Sequence, residues 1–119
     1  MSETIKGLKL IVTIVNRGKG KTIVEAYQKN GVTYHLICLG RGTAKTELLE
    51  CLGLGHKERD IVLSIAENDE VPPIIKMLNE EFEFCKPGHG IAFTIPIASV
   101  GGPHTLNYFI GTLGKGVER

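Results

Sequence analysis

The sequence predicts an α+β domain with the element order β-α-β-β-α-β, and three observations carry that reading. Four runs rich in β-branched residues, Leu8–Val15, Val32–Leu39, Asp60–Ala66 and Ile91–Ala98, are each bounded by turn residues. Val71, Ile74, Ile75, Leu78 and Phe82 recur at helical spacing and form an unbroken apolar stripe. Between the second and third runs lies a connection from Gly40 to Arg59, longer than compact domains normally use.

The first strand is followed by a turn at Asn16–Lys21 and a helix from about Gly20 to Asn30, with Ile23, Val24 and Tyr27 on one face. Gly31 is placed to end that helix in a left-handed cap. After the second strand and the long connection comes the third strand, then Asn68 or Asp69 as the cap of the second helix. Pro72-Pro73 suits its first turn, where the N–H groups have no intrahelical partner. Glu80, Glu81 and Glu83 read as its wet side. Lys86-Pro87-Gly88-His89-Gly90 then breaks the chain before the fourth strand. This order is the split βαβ, or ferredoxin-like βαββαβ, arrangement: two helices on one face of a four-stranded antiparallel sheet. The chain reads as a single domain over 1–119, with its core at about 8–102 and a C-terminal extension at 103–119. Leu106, Tyr108, Phe109 and Ile110 suit a further short strand, and 114–119 suit a frayed end.

The outer face of such a sheet is normally polar. Here Leu8, Leu10, Val12 and Ile14 alternate with Lys9, Ile11, Thr13 and Val15, and the fourth strand is apolar on both sides as well. An open apolar face implies burial against other copies of the chain.

Composition narrows the classes. The chain is 42% hydrophobic and 23% charged, with a net charge of +1. A nucleic-acid binder normally carries a basic excess. Cys38, Cys51 and Cys85 are odd in number and form no C-x-x-C, which suits a reduced, cytoplasmic protein. No signal-peptide layout is present, and no apolar run approaches the about 18 residues of a spanning helix, so direct membrane insertion is not expected.

Two local patterns point to anion binding. Gly88-His89-Gly90 is a turn in which backbone N–H groups can approach an anion without a Cβ in the way, although it also suits a plain helix-to-strand turn. Arg41, at the foot of the long connection, offers a planar fork for phosphate, or an ion pair with Glu47. The connection itself carries Arg41, Lys45, Lys57 and Arg59 around a leucine-rich centre, Leu48-Leu49-Glu50-Cys51-Leu52, which reads either as a partner-binding patch or as a locally packed short helix.

Order, loop position and these motifs together resemble the PII signal-transduction family (nitrogen regulatory protein P-II), over roughly residues 8–102. Gly40-Arg41 followed by Thr46-Glu47-Leu48 looks like the start of that family's long effector loop, the T-loop, and Gly88-His89-Gly90 is similar to its Gly-Asp-Gly turn. The resemblance implies a cytoplasmic homotrimer with no catalytic residues. It would sense an adenine nucleotide between subunits and regulate a membrane transporter or a metabolic enzyme through the 42–58 loop. Carried over by position, Gly40, Arg41, Gly88, His89 and Gly90 would hold the nucleotide, with Lys57 and Arg59 as replacement cations. Thr46, Glu47, Leu48, Leu49 and Leu52 would meet the partner.

The departures are specific. Ile91 stands where a lysine is usual, the arginines after the last strand are absent, and His89 replaces an Asp. Each missing cation removes a charge-assisted contact of about 1.5–3 kcal/mol. AMP, ADP or a cyclic nucleotide therefore gains on ATP. Gly42 stands where a glutamine usually helps hold 2-oxoglutarate, and no tyrosine lies in the loop, so neither that response nor loop uridylylation is expected.

Other readings weigh less. Gly18-Lys19-Gly20-Lys21-Thr22 ends like a phosphate-binding loop, but Val15 stands where that motif needs its first glycine. His35, Cys38, His56, Cys85, His89 and His104 match no standard metal spacing, and Cys38 and Cys85 suit the core. A metal-binding ferredoxin-like oligomer, or a small-molecule-binding module without nucleotide, are the alternatives. No metal site and no enzyme active site is expected.

Overall fold

The computed structural model describes residues 7–42, 58–102 and 104–105. Its elements are β1 (Leu8–Asn16), α1 (Gly20–Lys29), β2 (Tyr34–Arg41), β3 (Glu58–Glu67), a 3-10 turn (Asn68–Glu70), α2 (Val71–Glu81) and β4 (Ile91–Pro96). The strands form one antiparallel sheet in the order β2-β3-β1-β4. Each crossover helix returns the chain past one strand, as a split βαβ fold requires.

The core lies on one face of the sheet. Ile11, Val15, Val62 and Ala66 point into it from β1 and β3, Ile23 and Tyr27 come from α1, and Ile74, Met77 and Leu78 come from α2. The alternation of β1 and β3 sets this face, and the helical stripes meet it. Two polar groups that enter the core are paired. The Thr13 hydroxyl lies 2.6 Å from the Tyr27 phenol, and the Ser64 hydroxyl 2.9 Å from Nδ1 of His35.

The other face is apolar throughout its middle. The register aligns three rows across the sheet: Tyr34, Ile65, Leu10 and Ile95; then Leu36, Leu63, Val12 and Phe93; then Cys38, Ile61, Ile14 and Ile91. Leu36, Ile91, Phe93 and Ile95 are between 44% and 56% exposed in the single chain. Among the described residues no helix covers them. His35 and Cys38 project to opposite faces, as their spacing requires.

Element limits differ from the sequence expectation for local reasons. β2 begins at Tyr34 rather than Val32, because Gly31 takes φ +89° and the Val32 N–H returns to the Tyr27 carbonyl at 3.0 Å. α1 therefore ends at Lys29, one residue short of Asn30. β4 stops at Pro96 instead of Ala98 because its partner β1 begins at Leu8, whose carbonyl takes the last bond from the Ile97 N–H at 3.1 Å. Neither Asn68 nor Asp69 caps α2. Glu67 and Glu70 instead close a reciprocal capping box around the 3-10 turn, which runs directly into the helix.

Beyond α2, Phe84 N donates to the Leu78 carbonyl at 3.2 Å, and Glu83 adopts φ +57°. Glu83 thus belongs to the turn after the helix, 3.2 Å from Lys86 Nζ, rather than to its wet side. Cys85 lies in that turn and is exposed, which corrects its expected place in the core; Cys38 is half-buried. Residues 106–110 and 114–119, expected as a strand and a frayed end, lie outside the described residues.

Candidate functional site at one end of the sheet

The long connection is shorter than the sequence suggests because its ends are strand. Gly40 pairs with Arg59 and Arg41 with Glu58, so both strands run past the predicted boundaries. The same ladders place Asn16 opposite Arg59 and Ile14 opposite Ile91. The exit of β1, the exit of β2, the entry of β3 and the entry of β4 therefore share one end of the sheet. The loop base lies at the β2 edge and the Gly88-His89-Gly90 turn at the β4 edge. Three strand spacings, about 14 Å, separate the edges within one chain.

Arg17 and Asp60 organise the loop base. Arg17 Nη2 donates to the Gly40 carbonyl at 2.9 Å and to the Arg59 carbonyl at 3.2 Å, so one guanidinium ties the end of β2 to the start of β3. Its Nε lies 3.3 Å from the Arg59 carbonyl and 3.1 Å from Asp60 Oδ1. Asp60 is buried, and its Oδ2 accepts from the Gly18 N–H at 2.9 Å and the Gly20 N–H at 3.0 Å. The glycine turn that opens α1 thus spends its donors on an internal carboxylate, which excludes it as a phosphate-binding loop. A Cβ on Gly20 would meet that carboxylate at 3.0 Å.

Arg59 points to the open face. Its side chain is buried, with Nη1 donating to the Glu58 carbonyl at 2.8 Å and Nη2 without a hydrogen-bond partner among the described residues. Across the ladder, Oδ1 of Asn16 is also buried and unpartnered among them. Arg41 is exposed at the edge of the sheet. Lys57 and the residues expected to meet a partner, Thr46, Glu47, Leu48, Leu49 and Leu52, lie outside the described residues.

At the other edge, Gly88 takes φ +85° and Gly90 φ +140°, both left-handed conformations that favour glycine. A Cβ on Gly90 would lie 2.7 Å from Phe84 Cζ. The His89 N–H donates to the Lys86 carbonyl at 3.3 Å, and its ring Nδ1 lies 3.3 Å from the Phe82 carbonyl and 3.9 Å from Glu83 Oε1. The turn is tied to the sheet where Asn16 Nδ2 donates to the Gly88 carbonyl at 3.4 Å. Beside it opens a cleft of about 150 Å³, walled by Ile75, Leu78, Phe84, Ile91 and Ala92, with Asn79 as its polar side chain.

Sequence reasoning missed Arg17, Asn16 and Asp60, the residues that join these parts. A polar pair directly after an apolar strand, Asn16-Arg17, was the available signal. His35 is engaged on both ring nitrogens, the second at 2.8 Å from the Val32 carbonyl, and burial pushes its pKa down. Among the described residues no three His, Cys, Asp or Glu side chains gather as metal ligands would. Among them, too, no helix is long and apolar enough to cross a membrane.

No protein-family model matches the chain, and no curated protein matches it in sequence. Solved structures match it in shape. One, described as a PII-like signalling protein from Thermus thermophilus, gives a TM-score of 0.60 at 21% identity, over 82% of this chain and 92% of that one. CPII from Thiomonas intermedia K12, bound to ADP, AMP and acetate, gives 0.60 at 17% identity, over 82% and 91%. CutA from Synechococcus elongatus PCC7942 gives 0.69 at 8% identity, over 95% and 96%. The chain has the ferredoxin-like fold of PII-like signalling proteins, and it shares that fold with CutA.

Proposed function

We propose that this chain is a divergent PII-like regulator that binds an adenine nucleotide between copies of itself and controls a partner protein through its 42–58 loop. The observation that carries the reading is the placement of the loop base and the Gly88-His89-Gly90 turn at the same end of the sheet but on opposite edges. One chain cannot close that gap. A ring of copies brings the β4 edge of one copy to the β2 edge of the next, so the two half-sites meet at each seam.

The apolar open face supplies the reason for the ring. Three rows of aliphatic and aromatic side chains need cover, and three copies around a common axis bury them against one another. The homotrimer is cytoplasmic, and its regulated partner is a membrane transporter or a metabolic enzyme. Gly40, Arg41, Lys57 and Arg59 face the nucleotide from one side of the seam, and Gly88, His89 and Gly90 from the other. CPII is described with ADP and AMP, and the scarcity of cations near Ile91 favours the same two ligands over ATP. Binding shifts the loop among conformations for which the nucleotide has unequal affinity. The loop residues Thr46, Glu47, Leu48, Leu49 and Leu52 then present or withhold a partner surface. Gly42 leaves the 2-oxoglutarate response of nitrogen regulation without its usual glutamine.

Thermal unfolding with ADP, AMP, ATP, cyclic AMP, 2-oxoglutarate and divalent metals tests this directly. A ligand at a hundred times its dissociation constant stabilises by about 2.7 kcal/mol. ADP or AMP should raise the melting temperature, and Arg41→Ala should remove that rise without unfolding the protein. A response to metals alone, or to none of the compounds, overturns the reading.

A further inference from the structure

Arg17 holds more binding capacity than the fold consumes. Its Nε and Nη2 are committed to Gly40, Arg59 and Asp60. Among the described residues, Nη1 has only Glu58 Oε1, at 3.9 Å, beyond hydrogen-bonding distance. The Arg17 side chain is 34% exposed and that of Glu58 62%, so this pair is loose and solvated. The guanidinium itself is not loose, because hydrogen bonds to two backbone carbonyls fix its plane and an ion pair with the buried Asp60 carboxylate holds its charge. A donor pair held rigidly, with a third donor open to solvent and facing a weakly held carboxylate, is an oxyanion receptor with a provisional occupant.

We propose that Arg17 is a further binding residue, the cation that receives the phosphate end of the ligand at the loop base, and that Glu58 is the internal carboxylate the phosphate displaces. The inference rests on the nucleotide reading above and names the contact that stands in for the family's absent cations. The arrangement favours exchange on charge. Among the described residues, the loop base carries three guanidinium groups, those of Arg17, Arg41 and Arg59, against two carboxylates, Glu58 and Asp60, and of these two only Glu58 is exposed. Asp60 cannot leave without stranding the Gly18 and Gly20 N–H groups, whereas Glu58 can turn into water at little cost. Phosphate accepts from a guanidinium in the same forked geometry as a carboxylate and carries more charge. Glu58 is also the first residue of β3, so its release acts where the loop rejoins the sheet. The same contact that binds the phosphate reaches the loop.

Isothermal titration of ADP, adenosine and inorganic pyrophosphate into the wild-type protein, Glu58→Gln and Arg17→Lys tests the proposal. Glu58→Gln removes the competitor and should tighten ADP and pyrophosphate about threefold to tenfold, leaving adenosine unchanged. Arg17→Lys keeps a charge for Asp60 but loses the fork, and should weaken ADP and pyrophosphate about tenfold or more, again sparing adenosine. Unchanged ADP affinity in both variants overturns the role of Arg17 while leaving the nucleotide reading intact. So does an equal loss of ADP and adenosine in Arg17→Lys, which marks Arg17 as a purely architectural clamp. If neither ADP nor pyrophosphate binds the wild-type protein, the nucleotide reading fails and this inference with it.

Discussion

The Thr13 hydroxyl and the Tyr27 phenol lie 2.6 Å apart beneath α1, both fully buried, and each satisfies the other. A polar residue on the core face of a strand and a hydroxyl on the core face of a helix are one feature. Tyr27→Phe strands the threonine hydroxyl and should cost about 1–2 kcal/mol in urea unfolding. Adding Thr13→Val should cost less than the sum of the single changes, because the pair acts as a unit.

Burial pushes the Tyr27 pKa up to about 12, and the bond to Thr13 acts in the opposite direction. The folded value lies above the ordinary value of 10, so the stabilisation from a neutral Tyr27 is complete below pH 10 and disappears as pH rises toward 12. Urea midpoints measured from pH 9 to 11.5 should fall more steeply in the wild-type protein than in Tyr27→Phe. Parallel curves would contradict the assignment.

His35 behaves in the reverse sense. Desolvation lowers its pKa below the ordinary 6.5, with the hydrogen bond to the Val32 carbonyl opposing the shift. The contacts fit a neutral ring that donates from Nε2 to Val32 and accepts at Nδ1 from Ser64. The folded state then binds fewer protons than the unfolded state, so its contribution is present above pH 6.5 and is lost as pH falls. His35→Gln should flatten the stability profile between pH 7.5 and 5, and an unchanged slope would contradict this.

Two glycines make a graded test of local sterics. A Cβ on Gly40 would meet Ile61 Cδ1 at 2.7 Å, the flexible end of a side chain, with no positive φ to preserve. At Gly90 the same addition meets the Phe84 ring at 2.7 Å and must also hold φ +140°. Gly90→Ala should therefore cost about 2–3 kcal/mol and Gly40→Ala about 1 kcal/mol, with Ile61→Val relieving only the second. Equal costs would contradict the geometry.

Much of the fold was legible because patterning and packing agree. The stripe from Val71 to Phe82 and the alternation in β1 gave the elements and the apolar outer face directly. The boundaries were not legible, because they depend on partners distant in sequence. Gly40 and Arg41 read as loop until Arg59 and Glu58 supply their ladder partners. The site was half legible. Glycines with positive φ and a lone arginine leave a sequence signature, whereas the Arg17–Asp60 clamp is created by folding across more than forty positions. The Gly18-Lys19-Gly20 turn shows the same limit: its donors resemble a phosphate cradle in sequence, and only the fold reveals Asp60 within it.

Asp60→Ala should be the most damaging change at the loop base. It leaves two backbone N–H groups and part of a guanidinium unpaired, at a cost of about 2–3 kcal/mol. That is below the usual range for broken buried pairs, because Arg17 keeps access to water. A loss under about 0.5 kcal/mol in chemical denaturation would show that the clamp does not hold the loop base.

Sedimentation velocity at low micromolar concentration decides whether the chain trimerises, since every proposed seam requires the open sheet face to be covered by copies of the chain. A trimer gives one species with the mass of three chains, which Phe93→Glu, 44% exposed in the middle row of that face, should break apart. A wild-type protein that sediments as a single chain would leave the apolar rows wetted and the two half-sites apart, and would contradict the proposed seams.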